Sequence, residues 1–339
     1  MASLRASALG LLTAAVLLAV VALRAPFAAA VFGIVLLGPP HVLLAVRYLS
    51  GRIAGAVPAR TGWLLLAFLA AMALVRAAAT FLPQLGHQLE LAGSLAVVGA
   101  ALALGLRGRL RLLALAPAAL LADLPLIPLA WYAHLVAHGH NLIPLVFLWD
   151  WTRGRPARHR LGFVAANLVW LLGVPALLLG GAADPVLNPR PPEAVTRLVD
   201  PAVVVAGAAP PGADAALGLR FLAVFAFLQA MHYVLWLVFF PRRGRAEARR
   251  SPLPAGRRLW LLAALLTGVI WAAYAVSYYD GRAAYSVLGA FNAYLEQPVA
   301  VWLLLTALPA SAASPLIGRL RFAGPDRQPL TAAAMTGQP

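Results

Sequence analysis

RLLALAPAALLADLPLIPLAWYAHLVAHGHNLIPLVFLWDWTR, residues 111–153, holds little but apolar side chains between its terminal arginines. A helix crossing the roughly 30 Å hydrocarbon layer of a bilayer takes about 20 residues, so a tract of about forty is two crossings. Its centre, Ala122-Asp123-Leu124-Pro125-Leu126-Ile127-Pro128, carries an acid and two prolines. Proline lacks the amide hydrogen that a helix interior needs and disfavours helix at the residue before it. The tract therefore reads as a hairpin of two membrane helices, 112–123 and 127–150.

The same ruler laid along the 339 residues finds further apolar spans at 6–23, 25–46, 63–82, 91–106, 161–180, 218–240, 259–279 and 298–317. Hydrophobic residues are 62% of the chain and charged residues 11%, which excludes an ordinary soluble domain. The expectation is an all-α, polytopic transmembrane helix bundle of about ten spans. Its arginines provide a separate count. Arg47/Arg52/Arg60, Arg107/Arg109/Arg111, Arg153/Arg155/Arg158/Arg160, the Arg242–Arg258 run and Arg319/Arg321/Arg327 follow the second, fourth, sixth, eighth and tenth spans. Positive residues stay on the cytoplasmic side, so both termini are expected to be cytoplasmic and the membrane to be the cell's cytoplasmic membrane. The alternate loops collect the acids Glu90, Asp123, Asp184, Glu193, Asp200, Asp214, Asp280 and Glu296.

Residues 1–320 read as one transmembrane domain. Its non-cytoplasmic loop at about 181–217 lacks periodicity and reads as a mobile cap, and 321–339 as a disordered cytoplasmic tail. The first span resembles a secretory signal, with Arg5 before it and small residues at Ala28–Ala30. Its apolar core is longer than such signals have and a second span follows at once, so it reads as a retained helix.

All 27 basic residues are arginine and there is no cysteine. Absence of lysine excludes a retinal or pyridoxal Schiff base and a P-loop lysine. Absence of cysteine excludes disulfides, thiolate haem ligands and cysteine nucleophiles. The net charge of +16 sits in short runs between apolar segments. That places it against anionic lipid headgroups and not against nucleic acid.

Five of the seven histidines, His41, His134, His138, His140 and His232, fall inside expected spans. Ionisable groups at bilayer depth are costly, face the bundle interior and mark function. At 1.5 Å per residue His140 lies about 15 Å in from Asp150, at a depth shared with His232, with His41 about one turn shallower. His134 and His138, four apart, project from one helix face, whereas His140 points about 200° away from His138 on a straight helix. The expected metal ligands are His41, His138 and His232. His134 is a further ligand or support, and His140 joins only if the helix is distorted at Gly139. Gln229, Tyr233 and Trp236 flank His232 and are placed to orient ligands as cofactor-binding supports. Neutral imidazole suits iron, copper, zinc and nickel. With no carboxylate expected near this depth except Asp150, the expectation is an all-histidine site. His87 beside Glu90 and His159 among arginines read as solvated, and Arg76 within the third span as half of an ion pair. Tyr278-Tyr279-Asp280-Gly281-Arg282 reads as an interfacial aromatic belt followed by a turn.

Pro40-His41 followed by Arg47-Tyr48, together with Gln229-x-x-His232-Tyr233 and histidines on several spans, resembles the Brp/Blh-type bacterial β-carotene dioxygenases. The resemblance covers about thirty residues in three short segments. It implies iron held by transmembrane histidines. These readings converge on a membrane oxygenase with non-haem iron, or else copper, acting on a lipid-soluble substrate with a possible reductase partner. A transporter or channel using the histidines as a proton or ion pathway, and an electron carrier with haem between His138 and His232, are the alternatives.

Overall fold

The computed structural model describes residues 2–54, 59–122 and 129–307, which contain no β-strand. α1 (Ala2–Arg24) leads after one residue to α2 (Pro26–Phe32), a π-helical turn at Gly33–Leu37 and α3 (Gly38–Ile53). α4 (Ala59–Ala78) and α5 (Pro83–Gly105) form a hairpin, and a 3-10 segment enters α6 (Leu115–Ala122). α7 (Leu129–Gly139), a 3-10 turn at His140–Leu142 and α8 (Pro144–Trp151) form the second half of the tract quoted above. α9 (Ala157–Leu168) passes through a π turn into α10 (Val174–Leu179). The short α11 (Glu193–Thr196) and α12 (Pro201–Ala206) precede α13 (Ala215–Val234). α13 runs through a π turn at Leu235–Phe239 into α14 (Phe240–Arg243), followed by α15 (Arg245–Arg250), α16 (Arg257–Val276) and α17 (Tyr278–Ala307).

Six of these helical runs are long and apolar enough to cross a membrane: Leu4–Arg24, Pro26–Ile53, Pro83–Ala103, Ala157–Leu179, Ala215–Arg243 and Arg257–Val276. Large apolar side chains stand exposed on the peripheral faces, among them Val16 and Leu17 on α1, Trp63 and Leu74 on α4, and Trp260 and Leu265 on α16. Such surfaces suit hydrocarbon and not water. The core centres on α13 and the π turn after it, where Leu222, Phe227, Met231 and Trp236 are fully buried; α1 and α2 pack against α13. α17 packs on α16, α3, α4 and α5.

Two acids expected in loops are helical and buried. Glu90 lies in α5 and pairs with Arg76 of α4 at 2.6 Å, and Glu296 lies in α17. Both helices start ahead of where hydropathy starts a span: α5 at Pro83 and not at 91, and α17 at Tyr278, directly after Ser277 and some twenty residues early. His87, expected to be solvated, has its Nε2 3.0 Å from Arg76. The break at Asp123–Pro128, the final span beyond 307, Arg319, Arg321, Arg327 and the 321–339 tail lie outside the described residues.

The 181–217 connection carries α11 and α12 and packs against the bundle. Val195 and Ala208 are buried, Asn188 donates its backbone N–H to the Leu23 carbonyl at 2.8 Å, and its side chain reaches the Arg24 carbonyl at 3.0 Å. Arg220 grips Asp184 through Nε at 2.9 Å and a second, parallel contact. This hydrogen-bonded guanidinium holds the Asp184 carboxyl below its ordinary value of 3.8.

Candidate metal centre

Local breaks in three helices bring three imidazoles together. In the first, Pro39 and Pro40 have no N–H to give to the preceding turn, and the chain relaxes into the π turn at Gly33–Leu37. The Val35 carbonyl accepts instead from the Trp271 indole N–H at 2.7 Å. Gly33 and Gly38 permit the crowding this needs. A Cβ on Gly33 would stand 2.6 Å from Gln229 Nε2, and one on Gly38 would stand 2.8 Å from the Tyr285 ring. His41 is thereby held on the first turn of α3 and buried.

The second break follows α7. Pro144 cannot donate to the His140 carbonyl, so the chain tightens and Ile143 N–H takes that carbonyl at 3.2 Å. Asn141 turns its side-chain amide back to the Ala137 carbonyl at 2.8 Å. His140 sits on this 3-10 turn and faces His232, with ring centroids 4.7 Å apart. His232 lies on α13 just before its own π turn, and its ring is 5.2 Å from that of His41.

One ligand atom from each of His41, His140 and His232 falls within 4.8 Å of the other two. An ion at the centre of such a triangle lies at most about 2.8 Å from each nitrogen, against 2.0–2.1 Å in a typical metal–imidazole bond, so small side-chain rotations close the difference. Among the described residues, His41 Nδ1, His140 Nδ1 and both ring nitrogens of His232 have no hydrogen-bond partner. Buried polar atoms in native proteins are nearly always satisfied, so His41 Nδ1 and the two His232 nitrogens, converging without partners, point to a bound ligand.

Beside the triangle is a carboxylate. Glu296 Oε2 lies 3.5 Å from His140 Nδ1, while its other oxygen accepts from Asn292 Nδ2 at 2.8 Å. Both residues are fully buried. Sequence reasoning missed Glu296 because it assigned acids to loops; the signal available was its place four residues after Asn292 in an otherwise apolar stretch. Asp150, the acid expected nearest the site, is instead engaged by Arg52 at 2.8 Å and Arg153 at 3.1 Å.

Of the remaining expected site residues, Tyr233 and Trp236 lie beside the triangle, and His134, His138 and Gln229 are engaged elsewhere. His134 Nδ1 and His138 Nε2 both hydrogen-bond the Ala208 carbonyl, at 3.0 and 2.8 Å, and pack against Phe221. They face away from His140, as the helical angle between positions 138 and 140 requires. Gln229 donates to the Ala30 carbonyl at 3.2 Å and so ties α13 to α2. Tyr233 lies with its ring centroid 4.7 Å from that of His41, and its hydroxyl pairs with Tyr285. Trp236 lies 6.3 Å from His232, centroid to centroid.

The arrangement offers three neutral nitrogen donors in an apolar interior, one flanking carboxylate and aromatic walls. No protein-family model, curated protein or solved structure matches the chain, so the reading of this centre rests on its own chemistry.

Proposed function

We propose that the protein is an integral membrane metalloprotein in which His41, His140 and His232 hold a transition-metal ion, and that it oxidises a lipid-soluble substrate. The observation that carries the reading is the convergence of three imidazoles, of which those of His41 and His232 are buried with ring nitrogens the protein leaves unpaired. Imidazole suits iron, copper, zinc and nickel; three protein ligands leave coordination positions open, as catalytic sites do. Non-haem iron fits an oxidative role best, with copper next. When bound, such a metal supplies oxygen activation and redox chemistry.

The chain's own residues do the rest. Glu296 orients His140 and fixes which of its nitrogens faces the ion, since ligating histidines are commonly set by a carboxylate on the other ring nitrogen. Tyr233 and Trp236 wall the site, and the lipid-facing helices let an apolar substrate arrive from the bilayer. A reductase partner would supply electrons. Haem between His138 and His232 is disfavoured, because His138 is turned to the Ala208 carbonyl and the His232 ring is already faced, edge-on or at a tilt, by those of His41 and His140 within 5.2 Å. The arginine pattern supports ten spans with both termini cytoplasmic in the cytoplasmic membrane.

Metal analysis of detergent-purified protein tests the reading. We expect about one iron or copper per chain, lost in His41→Ala, His140→Ala and His232→Ala but kept in His138→Ala. Loss in His138→Ala with retention in His140→Ala would reassign the ligands. A folded wild type that takes up no metal after supplementation overturns the metalloprotein reading in favour of transport.

A further inference from the structure

Seven residues before His41 and seven before His232, the same two helical paths line a separate cavity of about 150 Å³. Val31 and Ile34 form one wall, Phe225 of α13 a second and Val204 of α12 a third. Tyr278 and Arg282 of α17 close it. At 1.5 Å per residue both paths place it about 10 Å along the bundle from the imidazoles.

Its lining is apolar except at the α17 side. There, among the described residues, Arg282 forms no ion pair, and its one hydrogen bond is a 3.5 Å contact to the Tyr278 hydroxyl. Three arginines within or beside the spans are, by contrast, paired with acids: Arg52 with Asp150, Arg76 with Glu90 and Arg220 with Asp184. The acid closest in sequence, Asp280, is turned to Ser277, whose hydroxyl donates to it at 2.6 Å. A guanidinium presents five N–H donors in a planar fork that matches a carboxylate with two parallel bonds. An apolar cavity of similar volume accepts a molecule the size of benzene, which is room for one narrow hydrocarbon segment and not for a pair of acyl chains.

We infer that this cavity binds the carboxylate end of a single-chain lipid, a long-chain fatty acid, with Arg282 pairing the head group and Val31, Ile34 and Phe225 enclosing the first carbons. The inference names a substrate class for the function proposed above and rests on that reading for its link to the histidines. Binding itself needs only the cavity and Arg282.

The test is equilibrium binding of radiolabelled palmitate to the full chain in phosphatidylcholine nanodiscs, with empty discs subtracted and bound metal removed by chelation. Saturable binding is expected, weakened roughly tenfold to a hundredfold in Arg282→Gln, as loss of a charge-assisted pair implies. Ile34→Trp, which fills the cavity, should abolish it, and hexadecanol should compete poorly. Arg282 is solvent-accessible, so its variant tests the site without disturbing the core. No saturable binding, equal binding by Arg282→Gln, or stronger binding of a lysophosphatidate would overturn the inference; the last would mark a phosphate headgroup site. Because the assay is run without metal, palmitate binding and metal binding fail separately.

Discussion

His232 has two buried ring nitrogens with no partner among the described residues, and each such atom costs on the order of 1–3 kcal/mol unless something pairs with it. The neighbouring Glu296 acts through His140, so Glu296→Gln should weaken metal affinity about 10–100-fold while leaving stoichiometry at saturation unchanged. Titration with the metal, read by equilibrium dialysis, checks this; an unaltered affinity would mean that the carboxylate serves only the helix packing. Trp271→Phe removes the donor to the Val35 carbonyl and should lower thermal stability in detergent by about 1 kcal/mol; Trp271 is 45% exposed, so the smaller ring adds little lost packing. At this scale the sequence was informative about residue type and poor about direction. Histidine inside a span is visible because polarity there is costly. Whether His138 or His140 turns inward depends on a local tightening that the intact helical angle hides. Glu296 was hidden for another reason: counting acids as loop markers assumes that none is buried, and a partner such as Asn292 breaks that assumption.

Helices here are bent where the backbone loses a donor. Prolines at 39, 40 and 144 each cancel an amide hydrogen, and each lies within four residues of an imidazole that points into the centre. Restoring the donor should undo the placement. Pro144→Ala lets the amide at 144 bond the His140 carbonyl, extends α7 as a regular helix and swings His140 away from His232. Helix content by circular dichroism should hold or rise while metal binding falls; retention of metal would show that the 3-10 turn does not depend on the proline. The sequence left a break open at Gly139, and Pro144 marks it; the prolines at 39, 40 and 241 likewise follow the π turns at Gly33–Leu37 and Leu235–Phe239, but a proline near a helix does not say by itself that the turn before it widens. Long apolar helices were legible because hydropathy reports burial in lipid directly. The early start of α17 was not, since its first twenty residues mix Tyr, Asp, Arg, Asn and Glu with the apolar positions.

Across the whole molecule, the arginine pattern can be examined cleanly because the chain has no cysteine of its own. Single cysteines introduced by Ala157→Cys and Ala213→Cys should react with a membrane-impermeant maleimide from opposite faces, the second in intact cells and the first only after permeabilisation. Reaction of both from outside would contradict the ten-span topology. The end of the bundle near Ala213 is also held by Asp184 and Arg220. With the folded carboxyl lowered below 3.8, this contact contributes stability above that pH and loses it as the pH falls through the lowered value. Hydrogen exchange in 181–214 should therefore be flat from neutrality to pH 5 and quicken, after correction for intrinsic rates, only under stronger acid.

The two ends of the bundle bind different sets of helices. At one, Asp150 of α8 joins Arg52 of α3, and Arg153 reaches Thr306 of α17 at 2.9 Å. At the other, Asp184 and Asn188 fasten the 181–217 connection to α13 and to the end of α1. His41, His140 and Glu296 stand on or next to the first set, and His232 stands on the second. An ion gripped by all three imidazoles is therefore a cross-pin midway between these two fastenings, joining α3, the turn after α7 and α13. Removing it should loosen the middle of the bundle more than either end, so the same atoms that set the chemistry also set the local stiffness.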